Sequence, residues 1–312
     1  MHLFCDAATL ETNLSGRIII VTGATSGHGK HLALQLVKQG AHVIAACRNL
    51  TAGGVLEARA SGLSGKVQVM HCDVSSLASV RTFAATCNEQ FKAIHCLVNN
   101  AGIMMGSNNT HSKTADGFEA QLGTNYLGPF LLTALLLPLL EASGGEGRVV
   151  NISSGNHDTF AGVRGHVALE DLHFDRRAYS GWQGYAQSKL CQVLHARELA
   201  RRHPTVASVA LHPGSICTNV TRHMLPFWLR VCTIPLERCL VGQVSSWVGI
   251  QTALHCTVSS KDTLENGAYY SQRQSPWGVK GGWPVKSGNP EAVDDALAGK
   301  LWEVSEKLVG LG

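Results

Sequence analysis

The chain has 312 residues, a formal net charge of +4 and 15% charged side chains, against roughly 25% in an ordinary soluble domain. That balance points to extensive buried surface, from a large core, oligomer contacts or contact with a membrane. The Lys and Arg residues are scattered, which argues against a nucleic-acid footprint.

Ten cysteines occur without a C-x-x-C pair or regular spacing. The segment MHLFCDAATLETNLSG, ahead of Arg17, is too short and too polar for a signal peptide or anchor. The expectation is an intracellular protein with free thiols, cytoplasmic or peripheral on an organelle membrane. Among the fifteen histidines, His28 and His31 are three apart, but no His/Cys/Asp cluster has the spacing of a zinc site, so no metal is expected.

In chain order, RIIIVT (17–22) reads as a buried strand. TGATSGHGK (22–30) follows, with Gly23, Gly27 and Gly29, and then KHLALQLVKQG, where Leu32, Leu36 and Val37 recur at helical spacing and Gly40 marks the stop. AHVIAAC reads as a second buried strand. Glycines in a strand–turn–helix–strand unit suit a dinucleotide phosphate loop. The helix start offers free N–H groups and partial positive charge, and backbone at Ser26, Gly27, His28 and Gly29 can approach a pyrophosphate. The glycine offsets differ from G-x-G-x-x-G, so a Gly-rich turn without a ligand stays open at this point. No Lys-Ser/Thr pair follows, which argues against a Walker loop.

Arg48 stands at the end of the second strand, where a carboxylate would bind the 2′-hydroxyl of NAD; a guanidinium suits a 2′-phosphate, hence NADP(H). A surface Arg is the alternative. KVQVMHCDV (66–74) is a third strand whose end places Asp73 and Val74 to meet an adenine. HCLVNNAG (95–102) is a fourth, and Asn99, Ala101 and Gly102 let backbone lie close to a flat ligand. Four such strand ends in series mark the crevice where open α/β sheets bind ligands. FLLTALLLPLL (130–140) is too short to span a bilayer, which takes about 20 residues, and reads as a buried helix. RVVNISS (148–154) is a fifth strand ending in hydroxyls. GYAQSKLCQVLHARELARR reads as a long amphipathic helix with Tyr185 and Lys189 on one face. An ammonium beside a phenol would draw its pKa down from about 10 toward neutrality and make it an acid/base.

TGATSGHG, NNAG (99–102), TNYLG (124–128), NISS (151–154), YAQSK (185–189) and HPGSICT (212–218), in that order, resemble the short-chain dehydrogenase/reductase family along nearly the whole chain. ACRN, HPGSICTNV and the tail LWEVSEKLVGL are similar to the retinol dehydrogenase and WW-domain oxidoreductase group. The resemblance implies one Rossmann domain over residues 1–312, an α/β fold with a doubly wound parallel sheet of about seven strands flanked by helices. It implies NADP(H)-dependent hydride transfer between a carbonyl and an alcohol on a small lipophilic substrate: retinoid, steroid or xenobiotic.

The same resemblance implies that Tyr185 exchanges the proton and that Lys189 lowers its pKa and holds the nicotinamide ribose. Ser154 would bind the substrate oxygen, with Ser153 as the competing candidate, and Asn125 would hold a water linking Lys189 to solvent. Pro213, Gly214, Ile216 and Thr218 would line the nicotinamide. A non-catalytic cofactor-binding protein on the same fold is the other reading. Two departures stand out. The interval from Ser154 to Tyr185 is 31 residues, longer than in many family members, and 156–184 is expected to loop near the site mouth. His28 replaces the usual Ile, as a packing substitute or as a contact to cofactor or substrate. Residues 219–242, rich in Met224, Phe227, Trp228 and Leu229, read as an apolar lid that also suits a membrane surface, or as helices packed on the core. Self-association is compatible with the low charge.

Overall fold

The structure, a computed structural model, describes residues 3–160, 162–214, 245–272 and 281–312. Nine strands occur among them: β1 (Ile18–Thr22), β2 (His42–Cys47), β3 (Lys66–His71), β4 (Cys96–Asn99), β5 (Arg148–Ile152), β6 (Thr159–Phe160), β7 (Val163–Arg164), β8 (Ala207–His212) and β9 (Tyr269–Ser271). Seven form one sheet in the order β3-β2-β1-β4-β5-β8-β9, and every pairing in it is parallel. The register Thr22↔Ala46, Val21↔Val98 and Asn99↔Asn151 brings the carboxyl ends of the central strands to one level.

These strands read as continuous apolar runs because both faces of the sheet are covered. Ile20, Ile44, Leu97 and Val149 face one layer, with α4 (Leu77–Gln90), α5 (Ala120–Glu141), α6 (Gly181–Arg202) and α8 (Asp295–Leu308). Val21, Val43, Val98 and Val150 face the other, with α2 (Gly27–Lys38), α3 (Leu50–Ala60) and α7 (Ser246–Val258). A short helix, α1 (Ala7–Glu11), precedes the sheet. The expected doubly wound single domain is therefore the observed one.

Three details differ from the sequence reading. β3 stops at His71, so Asp73 and Val74 lie in the turn beyond it. The apolar run 130–140 belongs to α5, a helix of 22 residues that is long and apolar enough to cross a membrane by length and composition. Phe130, Leu131, Leu132, Leu136 and Leu140 on it are nonetheless buried in the core. Helix α6 is not amphipathic in burial, since Gln187, Ser188, Gln192, His195 and Glu198 are buried along with its apolar residues.

The long interval between β5 and α6 adds a two-stranded hairpin and two 3-10 turns, Gly155–His157 and Leu169–Asp171. It is pinned to the body by His157, whose Nδ1 donates to the Ser154 carbonyl at 2.6 Å and whose Nε2 lies 2.8 Å from Ser287 Oγ. Asn289 Nδ2 donates to the carbonyls of His157 and Gly165 at 2.7 and 2.8 Å. The proposed lid, 219–242, lies outside the described residues.

Helix α5 approaches the turn after β3 so closely that a Cβ on Gly128 would lie 1.8 Å from the Val74 carbonyl oxygen. Gly128→Ala must displace backbone, and overpacking of this kind costs about 1–3 kcal/mol. A clear fall in thermal midpoint is expected; a wild-type melting curve would show that the contact yields.

Candidate active site

The carboxyl ends of β1, β2, β4, β5 and β8 open into a cleft of about 600 Å³. At its centre is the loop Gly23–Gly29. Gly23 and Gly27 adopt φ of +65° and +50°, a region open to glycine. The N-cap of α2, Ser26, makes no side-chain capping bond, whereas Asn49, Ser76, Ser245 and Asp294 cap α3, α4, α7 and α8 with theirs. The first N–H groups of α2 are thus left to a ligand, and the loop presents them to the cleft.

The loop is laced to the turn after β4. Thr22 Oγ1 accepts from the backbone N–H of both Asn100 and Ala101 at 2.9 Å. Asn100 Nδ2 donates to the Thr22 carbonyl at 2.8 Å, and His28 Nδ1 donates to Asn100 Oδ1 at 2.8 Å. Nδ1 is the donor because the Asn100 amide nitrogen is spent on carbonyls. The imidazole is buried, and burial lowers its pKa, so His28 is neutral at the head of α2. Gly23, Ser26, Gly27, His28 and Gly29 all line the cleft, as do Ala101 and Gly102.

Asn99 does not. It is fully buried, and its Nδ2 donates to Thr133 Oγ1 and Asn151 Oδ1 at 3.1 and 3.0 Å. As the last residue of β4 its side chain points into the α5 layer, and the next residue, Asn100, takes the place at the cleft that Asn99 was expected to hold. At one end of the cleft Arg48, 55% exposed, lies 3.8 Å from Asp73 Oδ2. The other carboxylate oxygen accepts from the backbone and hydroxyl of Ser75 at 3.0 and 2.6 Å. Val74 is beside it, and Pro213 and Gly214 line the cleft at β8. Ile216 and Thr218 lie outside the described residues. Cys47, Ala52, Cys72 and Ile103 also line the cleft, and no motif in the sequence singled them out.

Ser154, Tyr185 and Lys189 meet at the β5 and α6 side of the cleft. Ser153 also lines the cleft, but its hydroxyl donates to the Lys189 carbonyl at 2.7 Å, which ties β5 to α6. Ser154 Oγ donates to Asn156 Oδ1 at 3.1 Å. Lys189 Nζ lies 5.6 Å from the Tyr185 ring centroid and donates to the Ile152 carbonyl and to Gln192 Oε1 at 2.9 and 3.0 Å.

The ionisation of the pair runs against the sequence expectation of a phenol drawn down. Burial pushes the Tyr185 phenol up to about 12, with a Ser154 hydrogen bond pulling the other way, and burial pushes the Lys189 ammonium down to about 7. Desolvation dominates at both groups, and the ammonium is bonded to Ile152 and Gln192, not to the phenol.

Asn125 is held by hydrogen bonds of its own. It sits in a π-helical turn, Gly123–Leu127, inside α5. Its Nδ2 donates to the Ile103 carbonyl and Ser188 Oγ at 3.0 and 2.9 Å, and its Oδ1 accepts from Ile103 N–H at 2.8 Å. Both amide donors are used, so the side chain latches the Ile103 segment to α5 and α6. Among the described residues no group of His, Cys, Asp or Glu could hold a metal ion, and the seven cysteines found there are free and buried.

Residues 17–165 match the family described as short chain dehydrogenase. Bovine retinol dehydrogenase 12 is 36% identical over 311 residues, 96% of this chain and 89% of its own length. Human retinol dehydrogenase 13 is 36% identical over 310 residues, 98% of this chain and 88% of its own. The chain belongs to the short-chain dehydrogenase/reductase family. Within the family it is retinol dehydrogenase-like. A crystal structure of an uncharacterized protein from Mycobacterium paratuberculosis superposes with a TM-score of 0.75 at 31% identity, covering 99% of this chain and 98% of that one. RhlG of Pseudomonas aeruginosa shares the fold, with a TM-score of 0.65 at 24% identity and coverage of 88% and 98%.

As a short-chain dehydrogenase/reductase the protein is an oxidoreductase acting on CH–OH groups with a nicotinamide cofactor, and the uncapped helix and glycine loop fit its diphosphate. A Cβ on Gly29 would lie 2.4 Å from Asn100 Nδ2 and 2.6 Å from the Gly23 carbonyl oxygen. Gly29→Ala should therefore weaken cofactor binding by about tenfold or more, about 1.4 kcal/mol, as read by fluorescence titration. Unchanged affinity would show that the loop does not hold the diphosphate.

Proposed function

We propose that this oxidoreductase uses NADP(H) to interconvert a carbonyl and an alcohol on a small lipophilic substrate of retinoid, steroid or xenobiotic type. The observation that carries the reading is the juxtaposition of Ser154, Tyr185 and Lys189 at the same cleft whose far end presents Arg48. The names of the retinol dehydrogenase relatives and the apolar composition of 219–242 support a lipophilic substrate, and that composition also suits contact with a membrane surface.

The diphosphate would rest on the head of α2, with Asp73 and Val74 at the adenine and Arg48 at the 2′-phosphate. Ala101, Gly102, Pro213 and Gly214 would flank the flat parts of the molecule. Bound, the nicotinamide supplies or accepts the hydride. The protein does the rest. Ser154 turns its hydroxyl from Asn156 to the substrate oxygen. Tyr185 donates its proton to that oxygen during reduction and takes one back during oxidation. A phenol held up near 12 keeps its proton at neutral pH, the form that reduction requires. Lys189 contributes its remaining N–H to the ribose. Asn125 keeps the Ile103 segment in place at the cleft.

Tyr185→Phe keeps the ring and removes the proton, so turnover should fall by about 10² or more while cofactor binding persists. Steady-state kinetics beside a binding titration decide this, and near-normal turnover would remove Tyr185 from the mechanism. For Arg48→Ala, the loss should fall on NADPH far more than on NADH, by about 1.5–3 kcal/mol for a charge-assisted contact. Equal losses for the two cofactors would show that Arg48 does not read the 2′-phosphate.

A further inference from the structure

The Lys189 side chain is 5% exposed, and its ammonium has three N–H groups to satisfy. Two are taken by protein: the Ile152 carbonyl at 2.9 Å and Gln192 Oε1 at 3.0 Å. The backbone carbonyl is fixed by β5 and comes with the fold. Gln192 is a side chain, three residues on along α6, and is 1% exposed. Its own Nε2 is buried without a partner among the described residues. An unsatisfied buried amide is destabilising, and an unbranched apolar side chain of similar size, such as Met, would escape that cost. Among the described residues, the hydrogen bond the Gln192 side chain makes is to Lys189. The geometry therefore sets a functional gain against a stability loss.

We propose that Gln192 is a positioning residue for the proposed oxidoreductase site: its Oε1 keeps the Lys189 ammonium charged and leaves the third N–H to face the cleft. On that side a Cβ on Gly102 would lie only 3.6 Å from Nζ, and the Tyr185 ring centroid is 5.6 Å away. Among the described residues, the groups near the ammonium are Tyr185 and Gln192 from α6, Asn125 from α5, Gly102 from the turn after β4, and the Ile152 carbonyl from β5. Tyr185 is the titratable one, and none is charged at neutral pH. With no carboxylate in this set to balance the ammonium, the amide oxygen is the side-chain acceptor that holds it, and burial has already moved it to about 7. This inference rests on the proposed function only for its catalytic consequence, since the hydrogen bond itself exists without cofactor.

Two measurements on the full chain test it, with Gln192→Met removing the acceptor at constant bulk and Gln192→Glu keeping an acceptor at the same reach. The first needs no cofactor: thermal midpoints from about pH 9 down to about pH 5.5. A Lys whose folded pKa lies below its unfolded value lowers stability as pH falls between the two, and nothing more is lost below the folded one. Loss of the Gln192 bond lowers the folded value further. The gap between wild type and Gln192→Met should then widen below about pH 7, and Gln192→Glu should narrow it. A gap constant at every pH would mean that Gln192 only packs, and would overturn the proposal.

The second measurement is the pH dependence of kcat/KM for alcohol oxidation. With a weaker cation beside it the phenolate is harder to form, so the rising limb for Gln192→Met should move to higher pH by about half a unit or more. At fixed pH near neutrality kcat should fall about three- to tenfold with KM within twofold. Gln192→Glu should be more active than Gln192→Met. An unmoved profile, or equal impairment of the two variants, overturns the role of Gln192 and leaves the proposed function standing. A wild-type protein inactive toward carbonyls and alcohols would overturn the function, while the cofactor-free midpoints would still judge the bond.

Discussion

The site depends on the cost of burying one ammonium. Lys189 is placed where little water can reach it, and the fold offsets that cost with a seam of hydrogen bonds between β5 and α6. Ile152 accepts from its Nζ, and Ser153 donates to its backbone carbonyl. Ile152, the last residue of β5, and Ser153, just beyond it, thus hold the same lysine at both ends, which fixes the axial position of α6 against the sheet. Tyr185, one turn earlier, and Ser154, the next residue of the chain after Ser153, are brought together as a result. The same seam occupies the hydroxyl of Ser153, which supports Ser154 as the serine of the proposed mechanism. A buried ammonium that is only partly compensated has a depressed pKa, and a buried phenol has a raised one. The phenol therefore holds its proton at neutral pH, and the ammonium, moved to about 7, is the group of the pair that titrates there.

A second constraint acts at the diphosphate loop. Leaving the head of α2 uncapped would ordinarily leave the loop loose. Here the order comes from behind, through Thr22, Asn100 and His28, which tie the loop to the turn after β4. The N–H groups are free in front and the carbonyls are satisfied in the rear. His28 contributes as a neutral donor. A protonated imidazole at a helix N-terminus would oppose the helix dipole, and burial disfavours it in the same direction.

Much of the fold was legible because its strands are short apolar runs bounded by glycines, and their starts agree within a residue or two with the observed ones. The ordered series of strand ends was legible for the same reason. Finer placement was not. Asn99 and Asn100 are adjacent and chemically identical, and only the register of β4 decides which one points into the core. The partners of the Asn125 side chain were not legible, since the π-turn that aims it at Ile103 has no sequence signal of its own. Gln192 went unnoticed because α6 is buried on nearly every side, so hydropathy could not reveal which polar residue faces Lys189.

The insertion between Ser154 and Tyr185 shows why a long interval need not disturb the pair it separates. Loop closure costs grow slowly with length, so the requirement is anchorage. Glu119 supplies it at the far end. It is fully buried, and burial raises its pKa against hydrogen bonds from the N–H groups of Gln121 and Leu122 and from the Tyr179 hydroxyl. Its carboxylate therefore caps the start of α5 and receives Tyr179, near the end of the insertion, at 2.8 Å. Gln121 completes the joint: its Nε2 donates to Tyr179 Oη and to the Gly181 carbonyl at 3.0 and 2.8 Å, and its Oε1 accepts from Met105 N–H at 2.9 Å. Gly181 opens the helix that carries Tyr185, and α5 carries Asn125. The chain leaves the site at Ser154 with His157 pinned and returns with Tyr179 pinned, so the segment between them can vary in length without moving the phenol from the hydroxyl it must face.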